Sequence, residues 1–165
     1  MLPTPPSATL TSMDEPRIAE LPTRRVVRRW YRGPRPPAPE FFTHWREFHA
    51  WARDAGISST DPDLAMVGCE PPGVAGLRDF VYAACIPAGD EVTPDDASVE
   101  VGWLPGGRFV LCGGELTELP DLYRAAKRLA TSRGLPYERG GYEFFRPLPD
   151  NAATYRVEAG YRIHD

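Results

Sequence analysis

The chain has 165 residues, 42% of them apolar, and a formal net charge of −4. This length and composition predict one domain with enough apolar residues to form a core. The acidic balance argues against direct binding of nucleic acid or of anionic lipid, because both need a surplus of basic residues. We therefore predict neither a nucleic-acid partner nor a membrane partner. The negative net charge is more compatible with cationic ligands than with anionic ones.

Cys69, Cys85 and Cys112 are an odd number of cysteines with no short-spaced pair, so neither a disulfide framework nor a zinc site is indicated. His44 and His49 are five positions apart, which turns them away from each other on a helix. No apolar run approaches the roughly 20 residues that cross a bilayer, and the amino terminus lacks a secretory pattern. The sequence predicts a cytoplasmic protein without metal or cofactor.

Proline, serine and threonine with little apolar periodicity predict a flexible leader over residues 1–16. That leader is too short for a helix-turn-helix domain. A single domain is predicted over residues 17–165. Its first strand, 17–31, is expected to bend near Leu21-Pro22, since proline cannot donate to a strand ladder.

A helix is predicted next, over residues 39–55, because Phe41, Trp45, Phe48 and Ala52 recur at helical spacing and Gly56 follows. Two apolar runs, 64–70 and 80–87, predict strands joined by a loop with Pro71 and Gly76. These elements form a first half that ends near residue 88.

The second half, about 99–165, repeats this order. Strands are predicted over 99–104 and 108–112, and Gly113-Gly114 is predicted as a turn. A helix follows over 120–133 and ends at Gly134. The last strands are predicted over 141–146 and 154–163, with a proline-rich turn at 147–151 between them.

The two halves also share a short sequence. Glu-Leu-Pro-Thr-Arg-Arg-Val-Val at 20–27 returns as Trp-Leu-Pro-Gly-Gly-Arg-Phe-Val at 103–110, 83 positions later. The chain is therefore predicted as an α+β domain of two duplicated units with pseudo-twofold symmetry and a mainly antiparallel sheet. Such a pair leaves a concave seam that can hold a ligand.

An ordered set of short motifs spans residues 17–165. The motifs are Leu21-Pro22 with Arg24 or Arg25, Arg32-Gly33-Pro34, Phe48, Trp51-Ala52, Tyr82, Ala84-Cys85-Ile86-Pro87, Val99-Glu100-Val101, Leu104-Pro105-Gly106-Gly107-Arg108-Phe109, Tyr142-Glu143 and Val157-Glu158. Together they resemble the pattern of the GyrI-like small-molecule-binding family, which includes the effector domains of multidrug-sensing regulators. The chain departs from the family pattern at Ala83, where relatives often carry aspartate, and at Glu70-Pro71-Pro72.

The resemblance implies a sheet backed by two helices, with a groove between the halves that takes small molecules, a fold shared with SOUL proteins. It also implies that an acidic residue on the last long strand meets cationic, aromatic ligands, and Glu158 matches that position. Read by strand alternation alone, Glu158 shares a face with Arg156 and Arg162 and is a carboxylate on the solvated side, paired with one of them. The opposite face, with Val157, Ala159, Tyr161 and Ile163, is predicted as the core face.

Aromatic walls would hold cations through cation–π contacts of about 0.5–2 kcal/mol each. Trp103 is assigned to groove or core with equal weight, since it shares a strand face with Val99 and Val101. Tyr142 and Phe144 share one face and Phe145 the other, and the pattern leaves open which face lines the groove. The candidate walls are Tyr82, Trp103, Tyr142 and Phe144.

Three functions follow from the resemblance. The first is a stand-alone cytoplasmic module that binds cationic or aromatic amphipathic molecules as a sink or sensor. The second is a hydrolase that opens cyclopropane rings of alkylating natural products, with Glu158 as the acid-base group and Tyr82 or Tyr142 assisting. The third is a protein partner of DNA gyrase, which would use acidic loops such as 90–96. Haem binding ranks last, since no histidine lies in the predicted groove strands.

Overall fold

A computed structural model describes residues 13–34, 39–57, 64–68, 80–148 and 151–165. Cys69, most of the predicted leader and the predicted loop with Pro71 and Gly76 lie outside these residues. Within the described part of the chain, no helix is long and apolar enough to cross a membrane.

The first unit follows the predicted order. Pro22, which has no backbone N–H to donate, separates the predicted first strand into two strands. Gly56 follows the helix with a φ of 74°, the left-handed conformation that glycine adopts without strain. The elements are β1 (Arg17–Leu21), β2 (Arg24–Gly33), α1 (Pro39–Asp54), β3 (Leu64–Gly68) and β4 (Phe80–Pro87).

The second unit repeats that order, and three of its four strands are longer than predicted. The prediction of a turn at Gly113-Gly114 is wrong, because both residues lie inside a strand, opposite Glu158 and Val157 of the last strand. Gly134 has a φ of 63° beyond the helix. The elements are β5 (Val99–Leu104), β6 (Gly107–Glu115), a 3₁₀ turn (Leu116–Glu118), α2 (Leu119–Ser132), β7 (Tyr137–Leu148) and β8 (Asn151–Ile163).

All eight strands form one sheet in the order β1-β6-β8-β7-β3-β4-β2-β5. Every neighbouring pair is antiparallel. When each strand of the first unit is exchanged for its equivalent in the second, the result is the same strand order read from the opposite edge of the sheet. The sheet therefore has the predicted pseudo-twofold symmetry. Each unit also lends its first strand to the other, since β1 pairs with β6 and β5 pairs with β2.

The connections that follow the two lent strands, residues 22–23 and 105–106, meet at a crossing formed by the repeated Leu-Pro motif. The Gly106 N–H donates to the Thr23 hydroxyl at 3.0 Å, between two residues that are 83 positions apart. A Cβ on Gly106 would lie 2.4 Å from the backbone nitrogen of Thr23 and 2.8 Å from the Leu21 carbonyl oxygen. The crossing therefore needs glycine at 106, because its closest neighbours are backbone atoms.

The main core lies between the sheet and the two helices. The predicted stripe of α1 is buried there, with Phe48 fully inaccessible to solvent, and α2 adds its own buried stripe. The predicted core face of β8 lies against these helices. The residues involved are Phe41, Trp45, Phe48 and Ala52 of α1, Leu122 and Ala126 of α2, and Val157, Ala159, Tyr161 and Ile163 of β8.

A buried carboxylate also lies on the helix side of the sheet. Glu143 of β7 is 4% exposed, and the Tyr123 hydroxyl of α2 donates to its Oε1 at 2.7 Å. We expect Tyr123→Phe to lower the free energy of unfolding by about 1–3 kcal/mol, because a buried carboxyl oxygen loses its hydrogen-bond donor. Chemical denaturation measures the loss. Tyr137→Phe is the control, since no hydrogen bond from the Tyr137 hydroxyl occurs among the described residues, and an equal loss there would contradict the expectation.

The end of the predicted leader packs against the sheet. The Asp14 N–H donates to the Gly113 carbonyl at 2.8 Å, and the Cys112 thiol donates to the Asp14 carbonyl at 3.3 Å. The Asp14 carboxylate also pairs with Arg156 of β8. The packed part of the chain therefore begins before Arg17.

Candidate ligand-binding groove

The face of the sheet opposite the helices carries a second apolar layer made of two clusters, one from each side of the pseudo-twofold axis. Phe144 of β7 is partly buried, packs against both clusters and so joins them. The first cluster contains Val26, Ala83, Cys85 and Leu104, and the second contains Ala19, Phe109, Leu111 and Tyr142.

A groove opens above this layer, where the two units meet. Its space amounts to about 490 Å³, a figure that includes the part open to solvent and is therefore not the volume of an enclosed cavity. Apart from one cation, Arg24, one carboxylate, Glu158, and the hydroxyl of Tyr142, the lining side chains are apolar. They are Leu21, Pro22, Leu104, Pro105, Phe109, Leu111, Tyr142 and Phe144.

The ends of the lent strands form one wall of the groove. Leu21 and Pro22 come from the end of β1, and Leu104 and Pro105 from the end of β5. These pairs are 83 positions apart, so equivalent residues of the repeat meet at one site. The repeated motif that indicates the duplication in the sequence therefore also lines the groove.

Glu158 lies in β8, between Gly113 of β6 and Phe144 of β7. Its side chain is 18% exposed, and its Oε1 accepts a hydrogen bond from Arg17 Nη2 of β1 at 2.7 Å. Strand alternation alone predicts Arg156 or Arg162 as its partner, whereas the structure brings an arginine from an edge strand, 141 positions earlier. The groove therefore holds a sheltered carboxylate that already contacts a cation of the protein.

The two halves differ at this carboxylate. Glu158 lies opposite Gly113, and the equivalent pair in the first unit is Ala83 opposite Trp30. Gly113 has no side chain between β1 and β8, and a Cβ there would come within 2.6 Å of the Asp14 carboxylate. The groove is therefore symmetric in its Leu-Pro wall and asymmetric in charge.

Tyr142 lines the groove with its ring, which packs edge-on against Phe109 at 5.1 Å between centroids. Its hydroxyl donates to Glu138 Oε2 at 3.1 Å. Glu138 in turn pairs with Arg162, whose Nε donates to the Gly106 carbonyl at 2.8 Å. This chain of contacts ties the crossing at Gly106 to β7 and β8.

Tyr82, a predicted groove wall, lies in the helix-side core and is 1% exposed. Its hydroxyl is 2.7 Å from His44 Nδ1, and burial raises its pKa, with the neighbouring Tyr31 adding to the effect. Ala83, the next residue, is the one that faces the groove side. The placement of Tyr82 in the groove is therefore wrong, because the alternation of β4 turns it toward the helices.

Trp103, which is predicted with equal weight for the groove or the core, lies in neither the groove lining nor the core. It is 59% exposed on β5, which is an edge strand of the sheet. Its neighbour Leu104 points to the groove side. Of the four predicted walls, Tyr142 and Phe144 line the groove together with Glu158.

A second charged cluster lies on the same face, outside the groove lining. Arg28 Nε and Trp30 Nε1 both donate to Glu100 Oε1, at 2.6 and 2.8 Å. These hydrogen bonds hold the pKa of Glu100 below its usual value, that from Trp30 most strongly. Arg28 and Glu100 thus form an arginine–carboxylate pair at the opposite end of the sheet from Arg17 and Glu158. Among the residues that the structure describes, no cluster of three or more metal-ligating side chains occurs.

The sheet topology can be compared with the folds of known proteins. No family model and no curated protein sequence matches this chain, so the comparison rests on solved structures. The C-terminal domain of EcmrR superposes with a TM-score of 0.74 at 11% identity, over 91% of this chain and 97% of that domain. The fold is therefore the GyrI-like fold predicted from the motifs.

Two further structures share the fold. A hydrolase encoded by lin2189 from Listeria innocua has a TM-score of 0.64 at 15% identity, over 91% of this chain and 92% of that one. SAV2435 bound to tetraphenylphosphonium has a TM-score of 0.58 at 11% identity, over 92% and 94% of the two chains. At these identities the likeness establishes the fold alone.

Proposed function

We propose that this protein binds small amphipathic molecules, cationic or aromatic, in the groove between its two units. The observation that carries the proposal is the composition of the groove: apolar and aromatic walls around one sheltered carboxylate, Glu158. A charge at such a place is screened less than a charge in water, so it attracts a cation more strongly. The rings of Tyr142, Phe109 and Phe144 supply faces and edges that tolerate ligands of different shape.

A neighbour in fold supports the same class of ligand. SAV2435 was solved with tetraphenylphosphonium, an aromatic cation without hydrogen-bond donors. This protein has the same arrangement of sheet and helices, and it has one carboxylate in its own groove. We infer that aromatic cations are the first ligands to test in binding experiments.

We expect Glu158→Gln to weaken the binding of tetraphenylphosphonium at least about tenfold, because the amide keeps the shape of the side chain and removes its charge. Titration calorimetry with the purified protein measures the change in Kd. A rhodamine-type cation, followed by fluorescence anisotropy, gives a second and independent reading.

Glu100→Gln is the matched control. It removes the same charge from the same face of the sheet, outside the groove lining. The proposal predicts an unchanged Kd for this variant. It is wrong if the wild-type protein binds neither cation, or if both variants bind as the wild-type protein does.

Hydrolysis is the second candidate, favoured by the solved hydrolases from Listeria innocua that share the fold. Glu158 and Tyr142 line the same groove, so an acid-base pair is available there, whereas Tyr82 lies on the other face and takes no part. Mass spectrometry of a cyclopropane-containing alkylating substrate after incubation tests this candidate. Intact substrate at every protein concentration would exclude it for that substrate class, and loss of turnover in Glu158→Gln with binding retained would support it.

A further inference from the structure

We propose that Arg17 competes with the positive charge of a ligand for Glu158, and that this competition sets the affinity of the groove for cations. This inference rests on the proposed function. The Arg17 guanidinium donates to Glu158 Oε1 at 2.7 Å, the carboxylate that a cationic ligand would meet. A cation that enters the groove has to displace it.

The exposure of the two partners indicates which of them moves. The Arg17 side chain is 52% exposed, on the edge strand β1, whereas that of Glu158 is 18% exposed, on the interior strand β8. Arg17 can therefore turn into solvent and recover its hydration, while Glu158 stays in the groove and needs another cation. The ion pair therefore breaks when the Arg17 side chain moves into solvent.

The register explains how an edge residue reaches the groove. Arg17 pairs with Leu111 of β6, and Glu158 pairs with Gly113 of the same strand. Gly113 has no side chain of its own on this face, and the Asp14 carboxylate lies nearest to the position that its Cβ would take. Asp14 approaches from the same side and is held by its backbone hydrogen bond to Gly113.

Other basic groups also face this region. Arg156 lies on the same face of β8 and pairs with Asp14, the interaction that chiefly raises its pKa. Arg24 lines the groove near its Leu-Pro wall. The Arg17 guanidinium donates directly to the Glu158 carboxylate, so Arg17 is the residue to replace.

The test is a double-mutant cycle on Arg17 and Glu158, read as the Kd of tetraphenylphosphonium. We expect Arg17→Gln to bind this cation about fivefold more tightly than the wild-type protein, which is the scale of one partly exposed ion pair. In the Glu158→Gln background the same change should bring no gain. Arg17→Lys, which keeps the charge, should bind as the wild-type protein does.

Arg28→Gln is the matched control, because Arg28 pairs with Glu100 at 2.6 Å on the same face and outside the groove lining. It loses the same charge and should leave the Kd unchanged. Thermal unfolding of each variant shows whether it is folded. Arg17→Met, which keeps the length of the side-chain stem, replaces Arg17→Gln if that variant does not fold.

The outcomes separate this inference from the proposed function. If the wild-type protein binds the cation through Glu158 and Arg17→Gln binds no more tightly, the inference is wrong and the function stands. If Arg28→Gln or the Glu158→Gln background shows the same gain, net charge is the cause and the inference is again wrong. If neither the wild-type protein nor Arg17→Gln binds cations, the proposed function fails as well.

Discussion

We expect Gly160→Ala to lower the free energy of unfolding by at least about 3 kcal/mol, or to prevent the folded protein from accumulating. Gly160 lies in β8, opposite Leu111 of β6 and Tyr142 of β7. A Cβ at this position would lie 1.8 Å from the Val110 carbonyl oxygen and 3.1 Å from the Leu111 Cα. These are backbone atoms of a paired strand, so no side chain can move aside and the two strands have to separate.

Urea denaturation, followed by circular dichroism, measures the loss. Gly33→Ala is the control, since Gly33 also lies in a strand and its Cβ would meet only His44 Cε1, at an ordinary contact of 3.6 Å. That variant should stay within about 1 kcal/mol of the wild-type protein. Equal midpoints for Gly160→Ala and the wild-type protein would contradict the close approach of β6 and β8.

Phe109→Ala should lower the free energy of unfolding by about 3–5 kcal/mol, although Phe109 lies outside the helix-side core. It is 1% exposed, and its ring packs edge-on against Tyr142 and Phe144, with centroids 5.1 and 6.2 Å away. Removing it takes the shared contact away from both rings and leaves a cavity beneath the groove. The groove wall is thus itself a structural core.

The comparison variant is Phe109→Leu, which keeps most of the apolar volume and should lose only about 1–2 kcal/mol. Thermal and chemical denaturation of the two variants give the difference between them. If the alanine variant is as stable as the leucine variant, the groove layer contributes less to stability than its burial indicates. The cation titration on the leucine variant then shows whether the ring itself contributes to binding.

The fold could be predicted because its signals are local. The spacing of Phe41, Trp45 and Phe48 requires a helix with one buried face, and the alternation along β8 assigns Val157 and Ala159 to the core. Pro22 marks the break between β1 and β2. The sheet order could be predicted only as far as the duplication implies it, because strand pairing joins residues that are distant in sequence.

The site was harder to predict because it depends on faces and edges. Alternation alone does not say on which side of β4 the helices lie, so Tyr82 is predicted as a groove wall although Ala83 is the residue on the groove side. Trp103 is exposed because β5 is an edge strand, a property of the sheet order. The Leu-Pro wall had a signal, the 83-residue repeat, whereas nothing in the sequence joins Arg17 to Glu158.

Neither half of the chain can complete its own part of the sheet during synthesis. β1 pairs with β6, whose residues are 86–94 positions later in the chain, and one edge of β2 pairs with β5, whose residues are 70–80 positions later. Such long loops close slowly, so folding on the millisecond-to-second scale of β-rich domains is expected. Until β6 emerges from the ribosome, β1 has no partner strand and exposes an edge that other chains can pair with. The same exchange of strands that builds the groove thus ties its formation to the translation of nearly the whole domain.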